Sequence, residues 1–143
     1  MTRALVLVVL LVSSGCGVSM LNRATPPAEA EQLVTEAEAL VKTGNYPAAA
    51  RLFEDVVKRF PAAPVHDRAL YGLARTLVLP DNSGRDYRQA YLCFDRLLRV
   101  HPGSPYAPDA RAWRGLLVAY FARVEELGRL KKLDILMERQ RRQ

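Results

Sequence analysis

The chain has 143 residues, half of them apolar, a formal charge of +6 and two cysteines. That length suits a single domain with a modest core. The basic surplus alone would raise nucleic acid as a partner, but no RNA- or DNA-binding motif accompanies it, and nucleic acid is excluded on that ground.

The first element is an export-type leader. Arg3 is followed by an unbroken apolar run over 4–12 and then by Ser13-Ser14-Gly15-Cys16. Nine apolar residues are too few for a bilayer core, which takes about 20, so the run reads as a signal and not as an anchor helix. Residues 16–27 follow as a tether, ending in Pro26-Pro27. Its eleven residues after Cys16 reach at most about 40 Å. Thr25 stands as an N-cap, with Pro26 tolerated in the first helical turn.

From residue 28 the pattern is helical and repeated. Leu33, Ala37 and Leu40 share one helix face, Gly44-Asn45-Tyr46 makes a turn, and Ala49, Phe53 and Pro61 follow. Leu70, Leu73, Ala74 and Leu77, then Tyr87, Ala90, Phe94 and Pro102, repeat the arrangement with the same Tyr-Ala-Phe-Pro offsets of three, four and eight. A small residue at Ala49 or Ala90 lets two helices approach, and the phenylalanine one turn later fills the space between neighbours. Each proline ends its helix, and Gly44 supplies a left-handed closing residue. The two copies are 41 residues apart from Pro61 to Pro102, the surplus over a 34-residue period falling mainly in the turn over 79–85. Glu36 stands on the first helix where the pattern would take a leucine. Trp113, Leu116 and Tyr120 mark one further helix, with Leu117 in the small-residue position.

After Tyr120 the composition turns to charge, with Leu127, Leu130, Leu133 and Met137 as a helical stripe. Residues 124–143 are expected as a basic C-terminal helix or tail. Two readings stand: a helix that caps the open end of the array, or one that meets a partner helix or anionic lipid. The last five residues are expected to fray.

Nothing supports catalysis. His66 and His101 lie beside helix ends without a second ligand at helical spacing, so no metal site is expected. There is no nucleophile elbow or phosphate-binding glycine loop. Asp81-Asn82-Ser83-Gly84 lacks the alternating oxygens and downstream glutamate of a calcium loop and reads as a surface turn. Cys93, beside Phe94, reads as a small buried apolar residue. No cofactor and no small-molecule substrate are expected.

Three resemblances add to this. The paired turns and helices resemble tetratricopeptide repeats, and imply an all-α, single-domain solenoid of about two and a half repeats over 28–123. Such repeats bind other proteins and carry no chemistry. In that family the first helices line the concave face. Carried over by register, these positions are Glu31, Val34, Glu38 and Val41; then Arg68, Tyr71, Arg75 and Val78; then Arg111, Arg114, Val118 and Phe121. Arg68, Tyr71, Arg75, Arg111, Arg114 and Phe121 would hold an acidic peptide segment, unless the arginines are ordinary solvated residues.

The leader over 1–15 resembles a bacterial lipoprotein signal. That implies Cys16 as the first mature residue, carrying covalent lipid, which leaves Cys93 without an intrachain disulfide partner. Gly17 after it favours the periplasmic side of the outer membrane. The junction His101-Pro102-Gly103-Ser104-Pro105-Tyr106-Ala107-Pro108-Asp109-Ala110 is similar to those of BamD-like outer-membrane lipoproteins and periplasmic repeat proteins. It implies a non-catalytic adaptor for an envelope protein, in outer-membrane protein assembly. Residues 127–134 are similar to the tail of QseG-like accessories of envelope two-component sensors, a second reading, and a structural cell-envelope lipoprotein is a third.

If Cys16 is the attachment, Cys16→Ala behind an ordinary cleavable signal should release a folded periplasmic domain. A variant that still sediments with membranes after a high-salt wash would contradict this.

Overall fold

The computed structural model describes residues 25–143. The leader, Cys16 and the tether up to residue 24 lie outside the described residues. Five α-helices follow one another: α1 (Pro26–Lys42), α2 (Tyr46–Arg59), α3 (His66–Val78), α4 (Tyr87–Val100) and α5 (Ala107–Arg141). Each packs chiefly on the next in the chain, with α1 also touching α3. This is an all-α helical-hairpin solenoid, α1–α2 and α3–α4 being its two complete units.

Local chemistry sets the helix ends. Thr25 occupies the N-cap position of α1, but its side chain makes no capping bond. Its carbonyl accepts from Glu29 N–H at 2.9 Å, and two prolines in the first turn have no N–H to satisfy. Gly44 closes α1 at φ 78°, the positive value its turn requires. Asp86 caps α4 by accepting from Gln89 N–H at 2.9 Å. Pro61 and Pro102 stand just beyond the ends of α2 and α4, each separated from its helix by one capping residue, Phe60 or His101.

The core is the repeated small-plus-aromatic motif. Ala49, Ala74 and Ala90 are fully buried, and Phe53 and Phe94 are 1% and 0% exposed. Phe53 reaches from α2 onto the backbone of α3: a Cβ built on Gly72 would lie 2.5 Å from the ring. Phe94 makes the equivalent contact one unit later, stacked on Trp113 of α5 at 6.2 Å and 8°. Cys93 is buried beside it, and burial pushes its thiol up to about 11.

The lengthened turn between α3 and α4 is not merely a surface turn. Asn82 is buried, donates from Nδ2 to the Thr76 carbonyl at 2.9 Å and accepts from Gly84 N–H at 2.8 Å. It satisfies a carbonyl at the end of α3 and folds the extra residues onto themselves.

The third unit departs from expectation. Its buried row is Ala107, Ala110 and Leu117, while Leu116 and Tyr120, expected inside, are 62% and 46% exposed. No break occurs near residue 124: α5 runs 35 residues to Arg141, about 52 Å at 1.5 Å per residue. The expected terminal cap therefore does not form. The chain has no turn-forming glycine or proline between Pro108 and Gln143 other than Gly115 and Gly128, and the helix continues through both. Residues 139–141 are helical, and the helix ends at Arg141.

Phe53→Ala should cost about 3–5 kcal/mol, and Leu at Ala49 or Ala90 about 1–3 kcal/mol by overpacking. Gly72→Ala gains up to about 1 kcal/mol of helix propensity and loses more to the Phe53 ring. Its melting temperature should fall, and Phe53→Leu in the same chain should make the two changes less than additive. A Gly72→Ala chain that melts higher than wild type would remove the interlock.

Candidate functional site: a concave groove between the first helices

Because α1 and α3 occupy equivalent places in successive units, their outward faces lie side by side. Glu38 and Val41 of α1, Arg68, Tyr71 and Arg75 of α3, and Tyr106 at the start of α5 surround a groove of about 320 Å³. Lys42, Thr76 and Leu79 close one end, and the Phe53 ring and Gly72 form part of the lining. Tyr71 and Tyr106 are stacked at 4.7 Å and 17°. The Tyr71 hydroxyl donates to Asp109 at 2.9 Å, and burial, aided by that bond, raises its pKa.

The charges are already partly spent inside the protein. Arg68 forks onto Glu38, Nε to Oε1 at 2.7 Å and Nη2 to Oε2 at 2.6 Å, and its Nη1 reaches Glu31 at 2.7 Å. The Arg68 hydrogen bonds, outweighing desolvation, hold the Glu38 carboxyl below its ordinary value, and Arg68 is shifted up in return. Arg68 is thus a strut between α1 and α3, with its fork occupied by two carboxylates. Arg75 lies 4.8 Å over the Trp113 ring, a geometry that holds a guanidinium without neutralising it. Arg75 and Lys42 make no ion pair among the described residues, and they are the groove's uncompensated cations.

The positions carried over from the repeat register divide accordingly. Glu38, Val41, Arg68, Tyr71 and Arg75 come together in the groove. Glu31 is exposed at its edge, paired to Arg68, and Val34 and Val78 are buried in the core. The third-unit positions do not join them. Arg114 bonds Asp95 of α4 at 3.2 Å, Phe121 packs edge-on against Tyr91 of α4 at 6.2 Å, and Arg111 and Val118 point to solvent. In their place Asp109 and Trp113 face α3. The cause is that α5, lacking a second helix of its own unit, seats by Ala110, Leu117 and Phe121 against α4.

Sequence reasoning missed the polar clamps between units. His66 is 1% exposed, and its Nδ1 lies 2.7 Å from His101 Nε2. Nearby, Ser104 Oγ donates to Asp67 at 2.6 Å, and Gln89 Nε2 donates to Glu54 at 2.5 Å. The partners of these three bonds are 35, 37 and 35 residues apart. Pairing polar residues at about one repeat period was the signal that could have found them. The described residues contain no group of three or more His, Cys, Asp or Glu placed to hold a metal, and no helix among them is long and apolar enough to cross a membrane.

Burial first, then His101 and Arg96, hold the His66 pKa below its ordinary value, against weaker opposition from the Val57 carbonyl and Asp67. The folded ring stays neutral where the unfolded one charges. As pH falls through about 6.5, the unfolded chain binds a proton that the fold refuses. The contribution is fully present above that value and is lost as pH drops towards the lower folded pKa. Melting temperature should decline from pH 7 to 5, and His66→Gln should flatten the decline. An unchanged pH slope in that variant would contradict the assignment.

Comparison with known proteins agrees with the geometry of the first units. Residues 34–79 match the family model described as tetratricopeptide repeat, a span that runs from within α1 through α2 and α3. No curated protein matches the chain. The segment over 34–79 is thus similar to a tetratricopeptide repeat, a unit that generally mediates protein–protein interaction, within an all-α solenoid.

Proposed function

We infer that the protein is a non-catalytic adaptor lipoprotein, held by lipid on Cys16 to the periplasmic side of the outer membrane, whose groove takes an acidic peptide segment of an envelope protein. The observation that carries this is the placement of Arg75 and Lys42, cationic and unpaired, beside the stacked Tyr71–Tyr106 pair. A guanidinium seated on an aromatic face offers its donors to a carboxylate at little conformational cost. The tyrosine faces and Val41 supply flat contact area for an extended or helical segment. Glu31 and Glu38, by occupying Arg68, shift the binding charge towards Arg75 and Lys42. Arg111, Arg114 and Phe121 are outside this groove, so the site is smaller than the repeat register alone implies. Assistance in outer-membrane protein assembly fits the junction over 101–110, and a periplasmic location fits the leader and Gly17.

A photo-crosslinking residue at Val41 should trap an envelope protein in intact cells. A second one at Leu92, on the outer face of α4 and 62% exposed, should not. Arg75→Glu should abolish the Val41 product while lowering stability by no more than about 1 kcal/mol, the scale of the lost cation–π contact. Products formed only from Leu92, and indifferent to Arg75→Glu, would move binding to the outer face.

A further inference from the structure

Beyond Tyr120, whose ring packs edge-on against Tyr87 of α4 at 5.0 Å and leaves its other side open, the outer half of α5 has a surface that the fold leaves uncovered. Tyr120, Val124, Leu127, Leu130, Leu133 and Met137 are each 46–64% exposed, and the ion pairs of Arg123, Arg141 and Arg142 among the described residues go to neighbours on the same helix. A free helical extension of this length is marginal in water, and Gly128 within it costs about 1 kcal/mol relative to alanine. The six side chains expose on the order of 600 Å² of apolar surface, at the upper end of the largest patch on an ordinary monomer. With polar flanks added, that approaches the roughly 800 Å² per partner of a stable interface.

The pattern of these residues identifies the occupant. Their spacings are four, three, three, three and four, which read the same in both directions about the Gly128–Arg129 bond. An antiparallel copy of the same helix, related by a two-fold axis at that bond, therefore sets apolar against apolar in every layer: Tyr120 against Met137, Val124 against Leu133, and Leu127 against Leu130. Seventeen residues over five steps average 3.4 per step, within reach of the left-handed winding of paired helices. Arg123 and Asp134 also occupy mirror positions, both in the middle of the stripe, with opposite charges. Within one helix they are three turns apart and cannot meet.

We propose that the protein forms a two-fold dimer through antiparallel pairing of α5 over residues 120–137. Arg123 of each copy neutralises Asp134 of the other inside the contact. An isologous contact of this kind closes on itself and does not polymerise. Pairing presents two grooves at once, whatever they bind. A lipid surface fits less well, because Asp134 in the centre of the stripe would be pressed against anionic headgroups.

Two differently tagged full-length copies are co-expressed, one with Tyr120→Cys and the other with Met137→Cys, and treated with a short bifunctional thiol reagent. The expected product links both tags at twice the chain mass. Tyr120→Cys present in both copies gives no product, since those positions are about 26 Å apart along the paired helices. Arg123→Asp should lower the mixed product at least tenfold, and adding Asp134→Arg to the same chain should restore it. A product from Tyr120→Cys alone would show a parallel pair, and a mixed product that survives Arg123→Asp would show another register; either overturns the proposal. So does a chain that yields no mixed product and instead binds vesicles containing phosphatidylglycerol.

Discussion

The ring of Phe53 against the bare backbone of Gly72 is the contact on which the rest of the molecule depends. A side chain of any size at residue 72 would hold α2 and α3 apart, because its first carbon would already overlap the ring. With glycine there, a second helix of one unit closes on the first helix of the next, and the stagger of the solenoid is set. Phe94 on Trp113 repeats the device with a different receiver, a flat ring in place of an absent one. Interiors packed at crystal density have no slack to absorb a misfit at such points. The distance between α1 and α3, and with it the width of the groove, follows from the Phe53 insertion, as the seating of α5 on α4 follows from that of Phe94.

The polar contacts between units are secondary to that packing but decide what the groove offers. Arg68 bound by Glu31 and Glu38 fixes α3 to α1 and removes one cation from the surface. The bonds His66–His101 and Ser104–Asp67 fasten the turn after α4 to the start of α3. Each bond to a solvated charge adds little stability. Their effect is on orientation: they aim Tyr71, Tyr106 and Arg75 into one space. A groove made this way is held where the clamps lie and open where they stop, at Lys42 and Arg75.

The first two units were legible in the sequence because their determinants are local and repeated. Ala49 with Phe53, Ala90 with Phe94, Gly44 and the two prolines each fix a geometry within a turn or two of helix, and two copies confirm one another. Five of the concave positions followed from the same register. The third unit was not legible, since a helix without its own hairpin partner rotates to bury whatever apolar side it has, here Ala110, Leu117 and Phe121. Tyr120 and Leu116 lost that competition though they matched the pattern. Asn82 and the histidine pair were hidden for another reason. Their burial depends on tertiary neighbours, and polar residues near turns ordinarily face water. The continuity of α5 through residue 124 is not legible either, because the composition changes there while the helix does not.

Amide hydrogen exchange, resolved by helix and measured on dilute protein, tests the interlock most directly. The account predicts that α2 and α3 around Phe53 and Gly72, and α4 around Phe94, exchange slowest and open together, with rates near those of global unfolding. The helix ends facing the groove would exchange faster, and α5 beyond Phe121 fastest. Protection that is instead greatest in α1 or in the outer half of α5, with α2 and α3 opening independently of one another, would show that the aromatic insertions do not hold the solenoid together.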